Sequence, residues 1–80
     1  PKVRIADVLP IDNSGISDDL YGFALKGHFD FVVVGESRRA QLVVEFDGPT
    51  HQDENQKERD RKKDALCDRF ELPILRIDSE

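Results

Sequence analysis

Residues 27–34 read Gly-His-Phe-Asp-Phe-Val-Val-Val, and residues 40–49 read Ala-Gln-Leu-Val-Val-Glu-Phe-Asp-Gly-Pro. Both runs are rich in aromatic and β-branched side chains, the composition that suits a pleated, half-buried surface. Residues 35–39 between them form a turn, and Gly48 and Pro49 end the second run, because proline cannot donate to a ladder. A turn this short makes the two runs an antiparallel hairpin. Alternate side chains then face opposite sides, and a slip of one residue would invert a whole face. Phe29, Phe31 and Val33 form an apolar face on the first strand, and Leu42, Val44 and Phe46 form one on the second. Burying both sets together allows a register with Val34 opposite Gln41, Asp30 opposite Glu45, and His28 opposite Asp47. Asp30, Glu45 and Asp47 then share the other face.

Opposed like charges destabilise a strand pair. At an effective dielectric near 20, two carboxylates ~5 Å apart repel by about 3 kcal/mol, against a net stability of ~5–15 kcal/mol for a domain. Such a cluster calls for a compensating agent. A divalent cation is one, since carboxylate oxygens suit Mg²⁺ or Mn²⁺. A shared, raised titration of one carboxyl is another. The plain alternative is a solvated strand face that happens to be acidic.

Working outward, Thr50 is a suitable N-cap for a helix starting near His51 or Gln52 and running to about Phe70, with Asp53 and Glu54 at its positive end. Its first half is almost wholly charged or amide. Apolar positions appear only at Ala65, Leu66 and Phe70, so the start of the helix projects from the core or lines a cleft. Residues 74–77 (Ile-Leu-Arg-Ile) form a last strand. Upstream, residues 2–9 read as a strand with Val3, Ile5 and Val8 inward. Residues 10–19 carry turn chemistry over a length that suggests mobility. Residues 20–26 are ambiguous between a strand start and a packed loop. The fold class is α+β: a three-stranded antiparallel meander, then a helix and a fourth strand.

Eighty residues make one small domain, which buries only roughly 60% of its unfolded surface. The chain has no methionine, and residues 1–80 are read as one truncated domain of a longer protein. Surface left uncovered on the sheet makes a homo-oligomer an option. The net charge of −5 argues against bulk attraction to nucleic acid. However, Lys57, Arg59, Arg61, Lys62 and Lys63 crowd into one short stretch, and local charge governs a cleft. One cysteine, Cys67, forms no internal disulfide, in keeping with a reducing cytoplasm. No run reaches the ~20 apolar residues of a membrane helix, so no membrane partner is expected.

Three segments together carry a family resemblance: His-Phe-Asp-Phe-Val-Val-Val, Leu-Val-Val-Glu-Phe-Asp-Gly-Pro-Thr-His, and Arg-Asp-Arg-Lys-Lys-Asp-Ala-Leu-Cys-Asp-Arg-Phe-Glu-Leu-Pro-Ile-Leu-Arg-Ile. Over about residues 27–77 the chain resembles the PD-(D/E)XK, restriction-endonuclease-like nuclease superfamily. Within it, the chain is similar to a bacterial family of unknown function that resembles the very-short-patch-repair endonucleases. The resemblance implies an α-β-β-β-α-β core, here without its first helix, and divalent-metal hydrolysis of nucleic-acid phosphodiesters, with DNA the expected partner. It implies metal ligation by Asp30, Glu45 and the Phe46 carbonyl with Mg²⁺ or Mn²⁺, and it matches His51 and Asp60 to positions this branch fills in the same way. Phe29 replaces the motif proline. Asp47 stands where the superfamily often has a lysine that places the attacking water, and Glu71 stands where a glycine often closes the helix, so a left-handed cap is not expected.

The catalytic candidates are therefore Asp30, Glu45, Asp47, His51 and Lys63. Asp47 would bind a second metal or orient water. Lys63, with Lys57 second, would replace the missing lysine. The alternative for both lysines is a solvated helix face, since Glu54 with Lys57 and Glu58 with Lys62 have ion-pair spacing. For His51 the alternative is a cap or a surface imidazole. His28 is read as structural. Asp60 accepts from His51 or the sheet, or is solvated. Cys67 is read as a packing residue. Arg76 binds phosphate or pairs with an acid. The competing function is a catalytically inactive nucleic-acid-binding or assembly module of the same fold.

Overall fold

The computed structural model describes residues 2–48 and 53–78. In chain order it contains β1 (Val3–Arg4), α1 (Ile5–Val8), α2 (Asp18–Lys26), β2 (His28–Phe29), β3 (Phe31–Val34), β4 (Ala40–Asp47), α3 (Glu54–Arg69) and β5 (Ile74–Asp78). The class is mixed α and β, as expected, but the meander is split. β1 and β2 form an antiparallel pair, while β3, β4 and β5 form a second sheet in that order. β5 lies parallel to β4, the geometry that a helical crossover such as α3 permits.

The hairpin register matches the parity argument over most of its length. Phe31 pairs with Val44, Val32 with Val43, and Val33 with Leu42. A bulge then sets Val34 against Ala40 and not Gln41. The turn closes through Gly35, whose N–H donates to the Arg39 carbonyl, with Arg38 at a φ of 64°. At the other end the expected single strand over residues 27–34 breaks at Asp30. As a result Asp30 and His28 are not ladder partners of Glu45 and Asp47, and His28 instead pairs with Arg4.

The side expected to be buried is largely the open one, although Val44 on it is buried at 8% exposure. Phe31, Val33, Phe46, Leu75 and Ile77 are between 37% and 50% exposed. The covered side is that of Val32, Val43 and Ile74, which packs with Leu66 and Cys67 of α3 and with Ile5, Ala24 and Phe29. Phe29 is fully buried. The break at Asp30 detaches it from the face of Phe31 and turns it into this core.

α1 replaces the second half of the expected strand, and α2 takes up residues 20–26, left open between a strand start and a packed loop, with the last two residues of the expected loop. Ile5, Val8 and Leu9 have the i, i+3, i+4 spacing of one helix face, so the strand over residues 2–9 stops at Arg4. α2 is capped by Ser17, whose Oγ accepts from Leu20 N at 3.2 Å. The loop before it is anchored. Tyr21 donates to Asp12 at 2.6 Å, Ser14 Oγ to the Ile11 carbonyl at 2.6 Å, and Arg69 to the Ser14 carbonyl at 2.7 Å.

α3 starts later than expected. Asp53, not Thr50, is its N-cap, accepting from Gln56 N at 2.7 Å. It ends in a left-handed residue after all: Glu71 has a φ of 56°, with Leu72 N donating to the Cys67 carbonyl and Glu71 N to the Asp68 carbonyl. That pair of bonds is a Schellman closure, and burial of Leu72 holds it in place.

Candidate functional site

The site forms where β4 outruns β3. Pairing of β3 with β4 ends at Phe31 and Val44, while β4 continues to Asp47. Val43 N donates to the Pro73 carbonyl on the β5 side. Alternation along the strand therefore turns the N–H and C=O of Phe46 to the opposite side, beyond the end of β3. Asp30 substitutes for the missing strand. Its Oδ2 accepts from Phe46 N at 2.9 Å, and its own N–H donates to Glu45 Oε2 at 2.7 Å. These two reciprocal bonds hold both carboxylates at one spot.

Glu45 is the buried charged residue among those described, at 4% exposure. A carboxylate so enclosed must be paired and hydrogen-bonded. Lys63 does this from α3, with Nζ 2.5 Å from Glu45 Oε1 and the lysine side chain 12% exposed. The compensating charge that the acidic pair requires thus comes from the chain itself. Lys2 lies farther out, with Nζ 4.0 Å from Asp30 Oδ1.

Beside Glu45 in the register stands Arg76 of β5. It pairs with acids, its NH1 2.5 Å from Asp64 Oδ1 and its NH2 3.8 Å from Asp60 Oδ1. Burial works to lower its pKa, but the hydrogen bond and charge of Asp64, helped by Asp60 and Asp47, outweigh it and raise it. α3 therefore meets the sheet through ion pairs of both senses: Lys63 on Glu45, and Asp60 with Asp64 on Arg76.

Asp30, Glu45, Phe46, Asp47 and Lys63 all line one cleft of about 580 Å³. His28 lines it too, so it has a place at the site as well as in β2. His51 lies outside the described residues. Lys57 does not line the cleft and sits 4.0 Å from Glu54 on the exposed side of α3. The expected Glu58–Lys62 pair is replaced: Glu58 bonds Arg61, while Lys62 reaches Asp19 at 3.3 Å. Asp60 accepts from Gln56 Nε2 at 3.0 Å and faces the sheet through Arg76. Cys67 is buried, and its thiol is pushed up to about 11, chiefly by that burial.

Lys2 and Gln56 also line the cleft and are not picked out in the sequence, while Arg59 is noticed there only as part of a basic run. Arg59 donates to Gln56 Oε1 at 3.1 Å, and Gln56 is in turn held by Asp60. Gln56, Arg59, Asp60 and Lys63 follow the i, i+3, i+4, i+7 spacing of one helix face. That spacing is the signal that could have found Gln56 and Arg59; Lys2 carries none.

Among the described residues no group of three or more His, Cys, Asp or Glu side chains could hold a metal ion. The donor set is smaller: two carboxylates and a main-chain carbonyl. Mg²⁺ is commonly held by one or two carboxylates and keeps several waters, so these residues fit a largely hydrated ion and not a closed protein cage. The cationic rim of Lys2, Arg59 and Lys63 suits an anion beside it.

A family model described as a protein of unknown function (DUF2726) matches residues 1–80. The chain belongs to that family. No curated protein and no solved structure matches it. The match spans every element of the site, from Lys2 to Arg76. No helix among the described residues is long and apolar enough to cross a membrane.

Proposed function

We propose that this DUF2726 domain is a metal-dependent phosphodiesterase core acting on nucleic acid, DNA first, of the restriction-endonuclease-like kind. The supporting observation is the reciprocal bonding of Asp30 and Glu45 at the end of β3, beside the Phe46 carbonyl and the Lys63 ammonium in one cleft. Asp30, Glu45 and the Phe46 carbonyl would hold Mg²⁺ or Mn²⁺. When bound, such an ion polarises a phosphate oxygen and lowers the pKa of a coordinated water. Lys63 brings to the cleft the positive charge that position 47 lacks. Arg59 and Lys2 draw the phosphate backbone to the rim, while Asp47 and His51 are candidates for orienting water.

The protein incubated with Mg²⁺ or Mn²⁺ is expected to cleave at least one of single-stranded DNA, double-stranded DNA, branched DNA or RNA. Glu45→Gln and Asp30→Asn should each lower the rate at least about 100-fold, the scale of losing a group that stabilises developing charge. Cleavage that survives Glu45→Gln would rule out this site. A second reading, an inactive binding or assembly module, is favoured by the open apolar face of Phe31, Phe46, Leu75 and Ile77. Nucleic-acid binding with no turnover under either metal would select it.

A further inference from the structure

We infer that Lys63 is the resident counterion of the metal-free site and competes with a divalent cation for Glu45 Oε1, so that filling the site releases its ammonium into the cleft. The inference rests on the proposed metal site and adds to it how that site is guarded. The two oxygens of Glu45 are engaged differently. Oε2 accepts from the main-chain N–H of Asp30 at 2.7 Å, a bond fixed by the backbone. Oε1 is held by a side chain, Lys63, which can rotate away. Oε1 is therefore the oxygen that a cation can claim outright by displacing its partner.

Asp30 presents no such barrier. Its Oδ2 is tied to Phe46 N, and among the described residues its Oδ1 has Lys2 as its ion-pair partner, 4.0 Å away on a side chain 72% exposed. An incoming cation reaches Asp30 Oδ1 past the exposed Lys2, but to bridge Asp30 Oδ1 and Glu45 Oε1 it must expel Lys63. The Lys63–Glu45 pair is 12% and 5% exposed, so little solvent screens an ammonium from a doubly charged ion there. The two cannot share one oxygen at low cost. The cleft that Lys63 lines gives its four-carbon stem room to swing. Once released, the ammonium sits where it can meet an anionic substrate and no longer neutralises Glu45. The bland alternative is a fixed strut tying α3 to β4.

Mn²⁺ titrations by calorimetry, with thermal unfolding in parallel, on wild type and Lys63→Met separate these readings. Lys63→Met keeps the methylene stem and removes the charge. It is expected to bind Mn²⁺ at least about tenfold more tightly, within the usual range of coupling between sites. It should also melt lower than wild type without metal and recover the difference in saturating Mn²⁺. Equal or weaker affinity in Lys63→Met, with wild type binding, overturns the competition and leaves the metal site standing. No Mn²⁺ binding by either protein overturns both. Should Lys63→Met fail to fold, the labelling rate of Lys63 in wild type by an amine-reactive reagent decides. Mn²⁺ should raise that rate several-fold in wild type and leave it unchanged in Glu45→Gln. A rate unmoved by Mn²⁺ in wild type overturns the inference.

Discussion

Glu71 holds a backbone conformation that a side chain makes costly. Its φ of 56° lies in the left-handed region, which penalises an L-residue by about 1–2 kcal/mol. The residue stays there because Leu72 is buried and because two helix carbonyls, those of Cys67 and Asp68, need the N–H groups of Leu72 and Glu71. Glu71→Gly relieves the strain but loosens the unfolded chain. The expected net gain is about 0.5–1 kcal/mol in denaturant unfolding, and a loss of stability would show that Glu71 is not strained. Four residues earlier, Cys67 is 1% exposed and its thiol is raised from 9.0 to about 11, chiefly by burial. A group whose folded pKa is raised adds stability that is complete below its unfolded pKa and is lost as pH climbs through the folded one. Wild type should therefore lose stability more steeply than Cys67→Ala between about pH 9 and pH 11. Parallel slopes for the two proteins would mean that the thiol does not titrate as its burial implies.

At the scale of elements, the unequal lengths of β3 and β4 create the site. A strand that runs past its neighbour leaves main-chain groups without a partner, and Asp30 answers for Phe46 N–H. Asp30→Asn keeps an acceptor oxygen in the same place. Asp30→Ala removes it and leaves the solvent-exposed Phe46 N–H to water, a loss of about 0.5–1.5 kcal/mol, the net worth of an ordinary intramolecular hydrogen bond. Asn should therefore be nearly neutral for the metal-free domain and Ala distinctly destabilising in chemical denaturation. If the two melt alike, the Asp30–Phe46 bond does not hold the end of the sheet. The simple expectation that two facing carboxylates destabilise the hairpin fails because Lys63 and the Asp30 N–H already satisfy Glu45. A sequence shows that the acids converge, but not which of the cations on α3 turns toward them. Lys57, Lys62 and Lys63 look alike along the chain. They end on Glu54, Asp19 and Glu45 respectively, because α3 is rotated to bury Leu66 and Cys67.

At the scale of the whole molecule, the described residues cover the β3–β4–β5 sheet on the side of Val32, Val43 and Ile74 and leave much of the other side open. Phe31, Val33, Phe46, Leu75 and Ile77 leave a contiguous apolar face, larger than the scattered apolar residues of an ordinary monomer surface. The protein should self-associate as its concentration rises. Leu75→Lys, at a position 48% exposed, should suppress association in sedimentation at a stability change within about 1 kcal/mol, since exposed substitutions are usually mild. A wild-type chain that stays monomeric at high concentration would show that this face is harmless in water.

The parity of the hairpin follows from the sequence, because a period of two leaves one parity that gathers Phe31, Val33, Leu42 and Val44 on one side, whereas Asp30 meets Glu45 through main-chain bonds past the end of β3 and not as its ladder partner. The polar start of α3 likewise announces a cleft, since a helix face of Gln56, Arg59 and Lys63 has nothing apolar to bury. Alternation says which residues share a face, yet it is silent on which face is covered, and the apolar one proves largely open. The breaks at Arg4 and Asp30, the helix over Asp18–Lys26 and the Lys63–Glu45 pair were settled by packing. Each depends on groups far apart in the chain, such as Ile5 N on the Gly27 carbonyl or Lys63 on Glu45. Local propensity carries no information about such partners.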